Sequence, residues 1–491
     1  KLFYTTTQRL PAVNLLPLQS HYPEALTLPP FAVLRELQHE ARQPVYVVGG
    51  YVRDFLRQRP VKDIDIVTVG SGLDLARRFA ERVGSAEVAF YENFGTALVR
   101  FDDCAIEFVG ARRESYRRDS RKPLVEDGSL HDDQLRRDFT INALSLSLDA
   151  SDWGRFIDPF GGYNDLARRR LRTPRDPDLT FSDDPLRMLR AARFAAVLDC
   201  FIDETTFAAL ERNRERLPIV SPERIADELN KLLTAAQPSK GWLILFKAKL
   251  LPLILPELQA LHGVDRVNGI GHKDNFFHTL KVLDNLAELS DSVWLRWAAL
   301  LHDIAKPLTK RFEPGIGWTF HGHEDRGARL VPQIFRRLRL PQNERMRFVQ
   351  LMVQLHQRPI ALADGEVTDS AIRRLIVDAG EHLDELLLLC RADITTRDTD
   401  KLARFRANYD ALEVRIREVE ERDELRNWQP PITGELIMET FGLKPGPAVG
   451  AIKNAIREAI LEGEIPNDFD AAYALMRRIA PPLLALHPPR A

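Results

Sequence analysis

The sequence predicts an α+β protein in which a small mixed sheet with flanking helices precedes a chain that is helical to its end. Short runs of β-branched and other apolar residues predict two strands within 45–68, one before Gly49-Gly50 and one carrying Asp63 and Asp65, and further strands at 86–90, 97–101 and 105–109. Strand signals nearly vanish after about residue 175, and helical periodicity replaces them. The predicted sheet therefore belongs to the N-terminal part, which ends near residue 150.

The other elements follow from local signals along the chain. Residues 1–28 carry scattered prolines and little periodicity, which predicts an N-terminal arm. Residues 29–42 have apolar side chains at helical spacing, and a second helix is predicted at 72–83. A serine followed by proline predicts a helix start at 221–233. In the charged C-terminal part, a further helix is predicted at 451–462.

Length and composition limit the class of protein. A chain of 491 residues is expected to hold about three or four domains. The net charge of −2 excludes a general polyanion binder, so any nucleic-acid contact must use local patches. Cys104, Cys200 and Cys390 form no C-x-x-C pair, which favours a reducing compartment over a zinc finger or disulfide framework. With no membrane-spanning run and no signal-peptide pattern, a cytoplasmic protein is predicted.

The stretch at 45–68, VYVVGGYVRDFLRQRPVKDIDIVT, carries the first candidate site. Asp63 and Asp65 are two residues apart on a predicted strand, so their carboxylates point to one face. Two adjacent carboxylates repel each other, and hard oxygen ligands suit Mg²⁺. Gly49 and Gly50 let the backbone approach a phosphate ligand. The pattern favours phosphoryl or nucleotidyl transfer; the alternative for D-I-D alone is a strand end with two solvated acids.

Further polar residues of the first domain are candidates for the same site. Glu107 on a neighbouring strand would suit a two-metal centre, although a solvated acid on an edge strand is an equal alternative. The arginine-rich run at 112–122 is either a phosphate-contacting loop or a solvated loop. Residues 135–148 can form a helix that brings Arg137 and Asp138 to the cleft, with the arginine on phosphate and the acid on a ribose hydroxyl.

The stretch at 183–196, DDPLRMLRAARFAA, predicts a means of reading a base. Asp184, Arg187 and Arg190 recur at helical spacing and would share one helix face. A carboxylate that only accepts, beside a guanidinium that only donates, matches cytosine and adenine and rejects uracil and guanine. A surface helix with an acidic N-terminus is the structural alternative.

Histidines cluster in the second half of the chain. Six of the 12 histidines lie between His272 and His356, and His302 is followed directly by Asp303. Imidazoles and carboxylates together suit transition metals or Mg²⁺ and the hydrolysis of phosphate esters. A lone histidine would more often be a satisfied core residue, but the group predicts a metal site. Its members are His278, His302, Asp303, His321, His323, His356 and Asp393.

Taken together, the motifs resemble the bacterial class II tRNA nucleotidyltransferase / poly(A) polymerase family with a C-terminal HD domain. The matching stretches, in order, are GGYVRD, KDIDIV, RRDFTINAL, IDPFGGYNDL, DDPLRMLRAARF, SPERIADELNKLL, FFHTLKVLD and LRWAALLHDIAKP. The chain has Asp183-Asp184 where the family usually has Glu-Asp, and little change is expected because the second acid reads the base. The resemblance implies a nucleotidyltransferase head with a mixed sheet, followed by all-α domains. The predicted segments are an arm at 1–28, a catalytic head at 29–150, a neck at 151–260, an HD domain at 261–400 and a tail at 401–491.

The resemblance also implies an activity and roles for residues. The expected enzyme restores the 3′-terminal CCA of tRNA from CTP and ATP by a two-Mg²⁺ mechanism without a nucleic-acid template. The HD domain would hold a second divalent metal and have phosphohydrolase activity. The implied roles are Asp63 and Asp65 on two Mg²⁺ ions; Gly50 and Arg53 on the triphosphate; Arg137 and Asp138 on the nucleotide and its ribose; Asp184 and Arg187 on the base; Arg190 and Arg193 supporting that pair; and His278, His302, Asp303 and Asp393 on the HD metal.

Three alternatives stay open at this point. A poly(A) polymerase of the same family would add only A, but it usually has a strongly basic tail that this chain lacks. A partial CC-adding or A-adding activity would depend on a flexible loop within about 111–134. An HD phosphohydrolase whose N-terminal domain only binds RNA is a different class, and intact Asp63 and Asp65 argue against it.

Overall fold

The protein is described by a computed structural model for residues 14–41, 43–85, 87–92, 95–115, 124–365, 367–396, 398–423 and 431–486. The chain divides into two compact units, with the boundary between Gln259 and Ala260. Most of the predicted basic loop at 112–122, the centre of the predicted flexible loop at 111–134 and the first part of the predicted arm lie outside the described residues.

The first unit contains a seven-stranded sheet and short strand pairs. Its strands are β1 (Val45–Val48), β2 (Asp63–Thr68), β3 (Val88–Tyr91), β4 (Thr96–Phe101), β5 (Cys104–Gly110), β6 (Arg112–Ser115), β7 (Leu124–Asp127), β8 (Ser145–Ser147), β9 (Phe156–Ile157), β10 (Arg170–Leu171) and β11 (Phe201–Ile202). Its helices are α1 (Pro29–Ala41), α2 (Gly50–Leu56), α3 (Gly72–Val83), α4 (Leu130–Leu135), α5 (Gly162–Ala167), α6 (Pro177–Asp183), α7 (Leu186–Val197), α8 (Glu204–Asn213), α9 (Pro222–Leu233), α10 (Ser239–Lys247), α11 (Leu251–Ile254) and α12 (Pro256–Gln259).

The sheet is mixed, as predicted. Its strand order is β3-β4-β5-β2-β1-β8-β9, with β2 and β5 parallel and the other neighbours antiparallel. Burial alternates along the first residues of β2: Ile64 and Ile66 are fully buried, whereas Asp63 is exposed. This alternation is expected for a strand whose two faces have different surroundings. Helix α3 is amphipathic and begins at Ser71, whose hydroxyl accepts from the Asp74 amide at 3.1 Å.

The prediction of one helix over 135–148 is wrong. Helix α4 ends at Leu135, and the chain then makes a 3₁₀ turn at Thr140–Asn142 and enters β8. The alternating apolar residues of this segment pair with β1, where Leu146 lies opposite Val47. Pairing with the sheet buries the segment, which decides in favour of a strand over a helix.

The second unit is helical apart from two short hairpins. Its strands are β12 (Arg266–Val267), β13 (Ile270–Gly271), β14 (Arg311–Glu313) and β15 (Gly317–Thr319). Its helices are α13 (Asn275–Ala287), α14 (Val293–Leu301), α15 (Lys306–Thr309), α16 (His323–Arg337), α17 (Glu344–Leu355), α18 (Gln357–Asp364), α19 (Asp369–Ala379), α20 (Leu383–Asp393), α21 (Thr399–Asp423), α22 (Gly434–Phe441), α23 (Pro447–Glu462) and α24 (Phe469–Leu486). None of the helices in the described part of the chain combines the length and apolarity that crossing a bilayer requires.

Candidate active site and second metal centre

Three carboxylates lie on one face of the sheet of the first unit. Asp63 and Asp65 are carried by β2, and Asp65 is directly opposite Glu107 of β5 in the parallel register. Asp63 and Glu107 are exposed, whereas Asp65 is half-buried. The opposite face of β2 carries the buried isoleucines, so the sheet itself directs the acids outward together.

Burial and neighbouring charges shift the pKa values of Asp65 and Glu107. Burial raises the pKa of Asp65, the guanidinium of Arg137 opposes this increase, and the charge of Asp63 adds to it. Loss of hydration on the crowded face raises the pKa of Glu107, and the charge of Asp65 raises it further. A group of oxygen ligands that repel one another fits a hard divalent cation.

Gly49 sits where no other residue fits. Its φ is +73°, and an added Cβ would lie 2.8 Å from Arg137 Nη1 and 3.3 Å from Asp65 Oδ2. Glycine at this turn therefore leaves room for the Arg137 guanidinium beside the acidic face of the sheet. Helix α2 begins at the next residue, Gly50.

A chain of polar contacts connects helix α2 to helix α7. Arg53 Nη1 donates to Asn142 Oδ1 at 2.6 Å, and Asn142 Nδ2 donates to Asp138 Oδ1 at 3.0 Å. Arg190 Nε donates to the other oxygen of Asp138 at 2.7 Å. Although burial acts to raise the pKa of Asp138, the charge of Arg190 and the hydrogen bond from Asn142 lower it to about 2. Asp138 thus positions two neighbours, and its predicted ribose contact stays a prediction.

The predicted base-reading pair has a different local structure from the one expected. Asp184 is not on the face of α7, because it lies in the link between α6 and α7 with extended backbone angles. Its side chain accepts from the Leu186 amide at 3.2 Å and from Arg224 Nη2 at 3.2 Å. Arg187 is buried and donates to the carbonyls of Thr180 and Arg136 at 3.3 and 2.7 Å. Both side chains are held in place at the same helix start.

Helix α9 supports the arginines of α7, a role that the sequence interpretation missed. Glu228 is buried, accepts from Arg193 Nε at 2.6 Å and lies 3.7 Å from Arg190 Nη1. Asn142 was likewise missed, although it lies inside the RRDFTINAL motif. Both Glu228 and Asn142 are polar residues within apolar stretches, which is a signal that could have identified them. Their partners could not be identified in the same way, because they are distant in sequence.

Replacing Glu228 by alanine is expected to lower the free energy of unfolding by about 3 kcal/mol, because the half-buried Arg193 loses its carboxylate partner and Arg190 loses one of its two. Asp227→Ala is the matched control on the same helix, since Asp227 makes an exposed ion pair with Lys231. This control should change stability by less than about 0.5 kcal/mol. Denaturant unfolding measures both variants, and equal losses would contradict the role of Glu228.

The second unit gathers the histidines at the ends of its helices. His278 Nε2 lies 2.8 Å from Asp393 Oδ1 and 3.6 Å from Asp303 Oδ2. His302 Nε2 lies 3.3 Å from Asp303 Oδ2 and 3.7 Å from Asp393 Oδ1. The structure therefore brings the four residues of the predicted HD set together. His323 and His356 are buried beside Asp303, whereas His321 is exposed.

In this centre, neighbouring charges oppose the effect of burial on the pKa values of Asp303 and His302. Burial acts to raise the pKa of Asp303, but the charges of His302 and Lys306 keep it well below its ordinary value. Burial acts to lower the pKa of His302, but Asp303 and Asp393 raise it. Nitrogen and oxygen ligands around two buried carboxylates fit a divalent transition metal.

A cavity of about 910 Å³ adjoins His278. Three cationic side chains, those of Lys273, Lys281 and Arg406, line it together with one acid, Asp274. Because cations favour phosphate oxygens, this lining suits an anionic ligand.

Comparison with known proteins assigns the class. The family model of the poly A polymerase head domain matches residues 45–172, and that of a probable RNA and SrmB-binding site of polymerase A matches residues 200–261. An HD domain model matches residues 275–398. This order of domains, with the acidic sheet face in the first, defines a nucleotidyltransferase that uses a divalent metal.

Curated relatives identify the family more closely. The chain is 34% identical over 442 residues to an A-adding tRNA nucleotidyltransferase of Deinococcus radiodurans, covering 88% of this chain and 94% of the relative. It is 35% identical over 367 residues to a multifunctional CCA protein of Nitrosococcus oceani, covering 72% and 85%. The chain therefore belongs to the tRNA nucleotidyltransferase / poly(A) polymerase family, which confirms the resemblance predicted from its motifs.

Solved structures show the same fold. A Thermotoga maritima CCA-adding enzyme complexed with tRNA matches with a TM-score of 0.59 at 21% identity, covering 94% of this chain and all of the other. The α+β head followed by helical domains is thus confirmed as the architecture.

Proposed function

We propose that the chain restores the 3′-terminal CCA of tRNA from CTP and ATP without a nucleic-acid template. The observation that carries this proposal is the shared face of Asp63, Asp65 and Glu107, with Arg137 beside it. The names of the relatives support tRNA as the acceptor. Such an activity fits the cytoplasmic location predicted from the sequence.

The roles of the head residues follow from their chemistry. When bound, two Mg²⁺ ions at the β2 aspartates would lower the pKa of the tRNA 3′-hydroxyl and neutralise the triphosphate. The Gly49-Gly50 turn lets the backbone approach the phosphates. Arg53 donates three hydrogen bonds within the described part of the chain, to Asp54 and Asn142, and a guanidinium carries five N–H donors, so two would serve the triphosphate. Arg137, next to Asp65, would bind the nucleotide.

Base choice would come from the start of helix α7. Asp184 accepts and Arg187 donates, which matches the amino group and unprotonated ring nitrogen of cytosine and adenine. Arg190 and Arg193 would support this pair through their contacts with Asp138 and Glu228. A wrong base would leave polar groups unpaired on the base and on the protein. This loss weakens binding of the wrong base and so gives discrimination.

Primer extension tests the proposal directly. Purified chain would receive labelled tRNA lacking CCA, or ending in CC, with each nucleoside triphosphate singly and together. Growth by CCA followed by a stop is the expected result. A ladder of A residues on either tRNA would indicate a poly(A) polymerase, and no extension of either would refute the transferase assignment.

A-adding activity alone is a second candidate. The observation that favours it is the match to the Deinococcus radiodurans A-adding enzyme, which spans 88% of the chain against 72% for the Nitrosococcus oceani multifunctional CCA protein. In the same assay, this candidate predicts extension only of tRNA ending in CC, and only with ATP.

We also propose a phosphohydrolase activity for the HD domain, with the cation-lined cavity as its substrate site. The metal-stripped chain should hydrolyse a nucleoside 2′,3′-cyclic phosphate only after Ni²⁺ or Mg²⁺ is restored. Asp393→Asn should abolish this activity, whereas Asp384→Asn on the same helix should not. Absence of metal-dependent hydrolysis in the unchanged chain would refute this activity and leave the transferase proposal untouched.

A further inference from the structure

We propose that a cleft at the far ends of helices α2 and α7 binds a small anion that bears a phosphate group. The cleft has a volume of about 470 Å³, and its lining includes Arg57, Arg59, Arg169, Val197 and Asp199. This site is additional to those proposed for nucleotide addition and for phosphate-ester hydrolysis, and it rests on neither activity.

The cleft is separated from the proposed nucleotide site by the length of two helices. Arg187 at the start of α7 and Val197 at its end are ten residues apart, which is about 15 Å along the helix. Helix α2 likewise follows Gly49, begins at Gly50 and ends at Leu56, one residue before the cleft. Both helices therefore present one end to the nucleotide site and the other end to the cleft.

The carboxylate in the cleft already has its counter-ions. Asp199 Oδ1 accepts from Lys240 Nζ at 2.8 Å, and Asp199 Oδ2 accepts from Arg169. Two cations thus serve one acid, so Asp199 cannot neutralise the other arginines of the lining.

Two further arginines line the same space. Arg57 Nη1 lies 3.1 Å from Asp54 Oδ1, whereas Arg59 is exposed and has no carboxylate within 4.0 Å among the residues that the structure describes. Four cations therefore meet two acids around the cleft, and two positive charges lack a counter-ion. The adjoining helix ends offset this excess only in part, because each contributes about half a negative charge at most. A bound anion would supply the missing charge.

Backbone geometry is a second, independent indication of a ligand site. Gln58, Arg169 and Asp199 have φ angles of +56°, +53° and +52°. Three of the seven non-glycine residues with positive φ in the described part of the chain thus line this one cleft. Glycine adopts this conformation without strain, whereas a larger side chain does so at a cost. Residues held in this way concentrate at binding sites.

The lining favours a phosphate group over a carboxylate. A phosphate monoester carries nearly two negative charges at pH 7, which matches the two unneutralised cations, whereas a carboxylate carries one. Guanidinium groups bind phosphate oxygens through pairs of hydrogen bonds. Val197 is apolar and 41% exposed, so it offers a contact for the carbon atoms of a phosphate ester.

Protection of an introduced thiol tests the inference. The full chain carrying Val197→Cys is treated with N-ethylmaleimide, a neutral reagent, and only the introduced thiol should react rapidly because the native cysteines are buried. We expect inorganic phosphate at ten times its Kd to slow the reaction about tenfold, because about one cleft in ten is then empty. Potassium chloride at the same ionic strength should leave the rate unchanged. AMP is titrated in parallel, and protection at a lower concentration than phosphate would assign the site to a phosphate ester, whereas the opposite order would assign it to the free ion.

Arg59→Gln, added to the same chain, removes one cation of the cleft and should raise the Kd for phosphate about tenfold or more. Arg168→Gln is the matched control, because Arg168 is exposed and adjacent to Arg169 but is not part of the lining. It should leave the Kd unchanged. Unfolding temperatures verify that each variant is folded. Absence of protection by phosphate beyond that of chloride would overturn the inference, and so would an unchanged Kd in folded Arg59→Gln.

Discussion

Asp63→Ala and Asp65→Ala are each expected to reduce nucleotide addition by at least about a thousandfold. Each variant would remove a ligand of the metal ions that neutralise the charge developing at the transferred phosphate. The two aspartates share one sheet face with Glu107, and no other part of β2 offers an oxygen ligand there. The measurement is single-turnover incorporation of CTP into tRNA lacking CCA and of ATP into tRNA ending in CC. Glu81→Ala, an exposed acid on α3, is the control and should leave the rate unchanged.

Retained incorporation in either folded alanine variant would contradict the metal assignment. Thermal unfolding gives a second readout that does not depend on catalysis. The folded-state pKa of Asp65 is raised, so the stability linked to its protonated form is present at low pH and is lost as pH rises through that pKa. Asp65→Asn should therefore raise the Tm of the metal-free chain at pH 8 by about 1–3 °C, with the difference closing toward pH 4. A lower Tm at pH 8 would indicate that Asp65 has a structural role instead.

The strands that carry the acids were predictable because alternation is a local signal. Apolar residues on one face of β2 place Asp63 and Asp65 on the other, whatever the strand pairs with. The neighbour of β2 was not predictable, since β3 and β4 intervene in sequence before β5. The position of Glu107 opposite Asp65 therefore stayed one of two alternatives until the register was known.

The support of the site depends on contacts across long sequence separations. Arg190 meets Asp138 across 52 residues, and Arg193 meets Glu228 across 35. A single sequence gives each residue but not its partner, because ion pairs obey no spacing rule outside a regular element. The same limit explains the error at 135–148, where the pairing of β8 with β1 outweighed local helix signals. In the second unit, the histidines were predictable as a cluster because they lie within a short stretch of sequence. The sequence could not predict which carboxylate oxygen of Asp303 each imidazole faces.

Arg187→Ala is expected to weaken the preference for CTP and ATP over UTP and GTP by about 10–100-fold, with a smaller effect on triphosphate binding. Asp184 and Arg187 are the acceptor and donor proposed to meet the base, and the contacts of Arg187 with two carbonyls fix its guanidinium. The measurement is kcat/KM for each of the four triphosphates, both on tRNA lacking CCA, where CTP is the correct nucleotide, and on tRNA ending in CC, where ATP is. KM for CTP should change less than the ratio of kcat/KM between correct and wrong nucleotides, because we propose that other residues bind the phosphates.

Loss of those two carbonyl contacts will also cost about 1–3 kcal/mol of stability, so a second variant must separate folding from base choice. Arg187→Lys keeps a cation that can reach one carbonyl but lacks the planar pair of donors, and it should lose discrimination while remaining folded. Arg212→Ala is the control, since Arg212 makes an exposed ion pair with Asp178 on the same unit. Unchanged nucleotide choice in a folded Arg187 variant would show that base selection lies elsewhere. Lost choice with normal CTP binding would indicate that the head supplies the chemistry and the start of α7 selects the nucleotide.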